Sequence, residues 1–118
     1  MAQPFAPGDD LIFQLESGYG LLRVLAIDGE GPATVWHLLA YDDFFPDIDS
    51  AERALKRPEL LQVRKAHMAL TNRAFERTPA ARLSNRAVAP DELAAYKTWL
   101  ESDRHASDRS ALLMLGIR

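Results

Sequence analysis

Residues 11–27, LIFQLESGYGLLRVLAI, decide the fold class. In the first half Leu11, Phe13 and Leu15 alternate with Gln14 and Glu16, the period-two pattern of a half-buried strand. Ser17–Gly20 predicts a turn, with Gly18 and Gly20 as its permissive residues. Leu21–Ile27 is branched and apolar with Arg23 as its one charge, which predicts a central strand covered on both faces.

Working outward, DGEGP at 28–32 is a strong turn signal, and ATVWHLLAY at 33–41 reads as a third strand. Short turns between sequential strands make an antiparallel meander the natural topology. Asp49 and Glu52 stand three apart, the spacing of a capping box with an acidic N-cap, so a helix is expected from there until Pro58. Extended chain is expected again over 60–71, with Leu61 and Val63 facing in. Thr71–Pro79 reads either as one helical turn around Phe75 or as irregular chain, and 80–89 as loop or a short edge strand. Pro90–Ser102 predicts a longer helix, with Leu93, Tyr96 and Leu100 on its apolar face. The segment 109–117 is read as a short helix ending at Gly116, with a last strand as the alternative.

The chain has 118 residues, 47% of them hydrophobic and 26% charged, which predicts one globular domain: 1–71 mainly β with one short helix, 72–118 loop and helices packed on it. Cysteine is absent, which excludes disulfides and thiolate chemistry. The opening MAQPFAPGDD has neither a basic nor an apolar signal region, and no apolar run approaches a membrane span, so a cytoplasmic protein without membrane contact is expected. Charge is divided unevenly: residues 1–52 carry ten acids against Arg23, whereas 53–118 carry thirteen bases against seven acids. Either the two halves compensate each other in the fold or they present opposite faces to different partners.

The phosphate-loop, dinucleotide-binding, nucleophile-elbow and HExxH patterns are missing. His37 and His67 read as core or surface residues of strands, and His105 as a solvated loop residue. The acids Asp42, Asp43, Asp47, Asp49 and Glu52 do not have the spacing of a calcium loop, and neither a metal nor a cofactor is expected. A binding loop is the sharper reading of Asp42, Asp43, Phe44, Phe45 and Asp47: one phenylalanine plugs the core, and the other faces outward among acids that steer a basic protein partner. The rival reading is nucleic-acid binding through Arg64, Arg73, Arg77, Arg82 and Arg86, thinly interleaved with aromatics on a chain of pI about 5.5.

Gly8-Asp9, Gly18-Tyr19-Gly20 and Arg23-Val24-Leu25 together resemble the opening of SH3-like immunity proteins from bacterial polymorphic toxin systems. The likeness covers about the first forty residues. It implies a non-catalytic protein that covers a toxin's active surface, and it transfers no site residue. The expected fold is α+β: a small antiparallel SH3-like half-barrel with a short helix after strand three and a C-terminal helical segment.

Overall fold

The computed structural model describes residues 4–116. They form a small α+β domain built on one open sheet of five antiparallel strands, with four short helices around it. The strands are β1 (Asp9–Leu15), β2 (Gly18–Asp28), β3 (Val35–Tyr41), β4 (Val63–Thr71) and β5 (Ala80–Asn85), in the spatial order β4-β3-β2-β1-β5. The helices are α1 (Ile48–Ala54), α2 (Asn72–Glu76), α3 (Ala94–Leu100) and α4 (Ala111–Met114), and a 3-10 turn at Pro90–Leu93 leads into α3.

The first four strands form a meander, and β5 returns to pair with β1. Among the described residues, both rims of the sheet therefore stay open, except where Ser107 bridges to Leu70 on the outer side of β4. The edge-strand reading of residues 80–89 is the one realised.

The β1–β2 hairpin turns at Glu16–Ser17, because Leu15 pairs with Gly18. This corrects the expectation that Gly18 and Gly20 make the turn; both lie inside β2. Glycine is needed there for close approach. A Cβ on Gly20 would stand 2.4 Å from the Phe13 ring, and one on Gly18 would stand 2.5 Å from the Phe45 carbonyl oxygen.

Both faces of the sheet are covered. On one, Leu11, Phe13, Leu22, Val24, Trp36, Leu38, Met68 and Leu70 pack with Phe75 of α2 and Ala111 of α4. On the other, Ile12, Leu21, Leu25, Leu39 and Tyr41 pack with Ala51 and Leu55 of α1. β2 is thus buried on both sides, as its continuous apolar run requires.

Three local expectations need correction. The α1 cap is Asp47, not Asp49: its carboxylate accepts the Ser50 N–H at 2.7 Å and its backbone is extended. Val63 is 52% exposed rather than inward. It is the first residue of β4, an edge strand, where the sheet leaves one side to solvent. The expected long helix is shorter, a 3-10 turn followed by α3, with Glu92 accepting the Ala89 N–H at 2.9 Å in place of a side-chain cap on Ala89. The C-terminal segment takes the helical form, capped by Ser110, and Gly116 adopts φ +73 just past it.

Candidate functional site

The Asp42–Asp47 segment crosses from β3 to α1 over the open end of the sheet. Its backbone is held at Phe45, which exchanges two hydrogen bonds with Tyr19 (2.8 and 2.9 Å) and packs on the second core cluster. Phe44, the neighbour in sequence, is 48% exposed. The acids around it are partly engaged. Asp43 accepts the Gln62 N–H at 2.7 Å, Asp47 caps α1, and Asp42 lies 3.5 Å from Arg64.

Beside this loop runs the Pro58–Leu60 turn that precedes β4. Between them a cleft of about 310 Å³ has an apolar floor of Phe45, Ala54, Leu60 and Leu61 and a rim of Asp43, Arg53 and Arg57. A second groove of about 360 Å³ shares Leu61 and continues past Leu39, Tyr41 and Val63 toward Arg86 and Glu92.

The five arginines assigned to nucleic acid do not form one stripe. Arg64 donates to the Leu115 carbonyl at 2.6 Å and faces Asp42. Arg73 pairs with Asp108, whose backbone carbonyl also takes Arg77 at 2.9 Å. Arg82 lies 3.7 Å from Asp9, and Arg86 makes two 2.8 Å hydrogen bonds to Asp10. Acids of the N-terminal half thus meet bases of the C-terminal half across the fold. Arg64, Arg73, Arg77 and Arg86 already have an internal acceptor and Arg82 faces a carboxylate, which lowers what each can offer a phosphate.

Arg23 lies at the centre of the densest of these networks. Fully buried, it donates to Glu92 (2.6 and 3.2 Å), Asp10 (3.2 Å) and the carbonyls of Gly8, Arg86 and Ala87. Burial alone would raise the Glu92 carboxyl, but the Arg23 hydrogen bond and the Ala89 N–H outweigh it and hold the carboxyl below its ordinary range. The hydrogen bonds that Arg86 donates to the Asp10 carboxylate raise its basicity further in the same way. The network ties β1, β2, the exit of β5 and the Pro90–Leu93 turn together.

A second polar cluster was not legible in the sequence. His37, expected to be a partly buried or surface residue, is fully buried, and its Nδ1 stands 2.9 Å from His67 Nε2. The two rings are tilted by only 11° with centroids 5.1 Å apart. That separation is close to the largest a 2.9 Å N···N contact permits, so the rings lie edge to edge in a shared plane, joined by an N–H···N hydrogen bond. On its other side His37 Nε2 is 2.8 Å from Asp28 Oδ2, but the carboxylate lies off the N–H direction and Nε2 has no aligned partner. The Tyr96 hydroxyl donates to the Asp28 carboxylate, 2.9 and 3.0 Å from its two oxygens.

Burial lowers the basicity of His37, against the pull of Asp28. Burial, reinforced by His37, pushes His67 down to about 4. Both rings are therefore neutral at pH 7. His105 is exposed in the loop after α3.

Among the described residues no group of three His, Cys, Asp or Glu side chains is arranged to hold a metal ion, and no helix is long and apolar enough to cross a membrane. A scan of protein-family models and searches of the curated proteins and the solved structures found no significant match to the chain, so the function is argued from the site itself.

Proposed function

We propose that this protein is a non-catalytic binding module that engages another protein through the Asp42–Asp47 loop and the adjoining Pro58–Val63 segment. One observation carries the reading. Of the five large hydrophobic side chains exposed among the described residues, four (Phe44, Ile48, Leu60 and Val63) belong to the loop, the start of α1 and the chain leading into β4, and the fifth is Leu113 of α4. Apolar surface gathered in this way, beside a cleft with an apolar floor, suits a partner that inserts one large apolar side chain. Asp42, Asp47 and Asp49 flank Phe44 and Ile48 and favour basic groups around that anchor.

The strand order, with β5 returning to the far side of β1 in a sheet that stays open, supports the SH3-like arrangement that the N-terminal resemblance implies. A toxin neutralised by surface coverage is the partner class consistent with both. No buried polar cavity has to open for such a role.

A photo-reactive phenylalanine analogue placed at position 44, with position 113 as control, tests the proposal in the native cell. Cross-links from position 44 to one protein, lost on Leu60→Ser and weakened by salt, are expected. Equal yields from both positions, or capture unaffected by Leu60→Ser in a folded variant, would overturn it.

A further inference from the structure

Neither α3 nor the turn before it contains a fully buried residue. The helix is fastened to the sheet through a few side chains. In the turn before it, Glu92 accepts from Arg23 and Leu93 packs on the second core cluster; within the helix, Tyr96 bonds Asp28. The rings of Tyr96 and Trp99 each rest on His37 at 4.5 Å between centroids, and each lies 6.2 Å from His67. Two imidazoles thus form much of the floor on which α3 sits.

We infer that the His37–His67 pair is an acid-operated latch: its neutral form holds α3 on the sheet, and proton uptake by the pair releases α3 while the sheet persists.

The in-line geometry has room for one proton between the facing nitrogens. In the neutral pair one ring donates and the other accepts. A first added proton leaves that bond intact and turns one ring cationic beneath two aromatic rings, with Asp28 alongside. A second sets two N–H donors against each other across 2.9 Å, and the rings must part. β2 and β3 fix His37 from below, whereas α3 is the cover that can lift. The charged and titratable groups that bear on the pair are Asp28 from β2, Tyr96 from α3, and Arg104 through its effect on Tyr96. The charge that bears on His67 is that of His37 itself. Full burial of His37 and partial burial of His67 keep the latch closed at neutral pH.

The two tryptophans give separate reporters. Trp36 lies in the core of the opposite face with its indole N–H on Asn72, and Trp99 sits on α3 with its indole N–H on the His105 carbonyl. The test is an ¹⁵N NMR titration of the whole chain from about pH 7.5 to about pH 3, following imidazole, indole and backbone signals. The Trp99 indole and the amides of 94–100 are expected to move together with the His67 ring nitrogens, with Trp36 and the β1–β3 amides unchanged. His67→Gln, which keeps a donor to His37 but cannot titrate, should hold α3 docked to the acid limit. An α3 that stays put while both rings titrate overturns the inference, as does loss of helix and sheet signals in one step. An unchanged transition in His67→Gln overturns it too. Should that variant not fold, the wild-type titration alone decides.

Discussion

Two buried polar clusters lie on the same face of this sheet, and they are finished to different degrees. Around Arg23 every guanidinium nitrogen has an acceptor, on two carboxylates and three backbone carbonyls. Around His37 one ring nitrogen is well bonded and the other faces a carboxylate off its axis. A buried ion that is fully bonded cannot change its charge without breaking the fold. A buried neutral base with a loose contact can. The first cluster joins segments of chain; the second holds a reserve that acid can draw on.

The largest expected effect breaks the first cluster. Arg23→Met should remove about 3–5 kcal/mol of stability, because the Asp10 and Glu92 carboxylates each lose a charged donor and the Arg86 and Ala87 carbonyls lose the guanidinium in a largely buried site. Urea denaturation at neutral pH measures it, and a loss under about 1 kcal/mol would mean that water readily replaces the guanidinium.

Acid sharpens the contrast. An unfolded chain protonates its histidines near the ordinary value of 6.5, whereas folded His67 waits until about 4 and His37 is also depressed. Between those limits the unfolded state binds more protons. The histidine contribution is therefore fully present above about pH 6.5, declines as pH falls, and levels off near 4. Partial exposure of His67 keeps this to about 2 kcal/mol. The carboxylates held low by their partners, Glu92, Asp47 and Asp108, lose their contributions only at lower pH. Unfolding curves at stepped pH should show the histidine loss in wild type and a smaller one in His67→Gln.

The smallest effect is expected at an exposed ion pair outside both clusters. Arg82 is 55% exposed and 3.7 Å from Asp9, whose other carboxylate contacts come from Asn85 and the Ala6 N–H. Arg82→Ala should change stability by no more than about 0.5 kcal/mol in the same urea assay.

The difference between the clusters also explains what the sequence could and could not disclose. Strands and hairpins were legible because period-two patterning and short connections act locally. Arg23 was visible as the lone charge in an apolar strand, a signal that buried acids must lie near it, although nothing local names Asp10, Glu92 or Arg86. The histidine pair had no such mark. His37 pairs with Ala69, so His67 is its diagonal neighbour, a relation that exists only once the β3–β4 register is known. In the loop, a proline-led helix start concealed which aspartate caps α1, because Asp47 and Asp49 are equally suitable by type and only backbone geometry separates them.

The unfinished rims of the sheet carry a consequence for crowded solutions. Unsaturated strand edges invite identical molecules to add on, yet one rim bears Arg64 and Lys65 and the other bears Arg82. Stacking like rims would bring cation against cation, so the repulsion that keeps copies apart should fade as ionic strength rises.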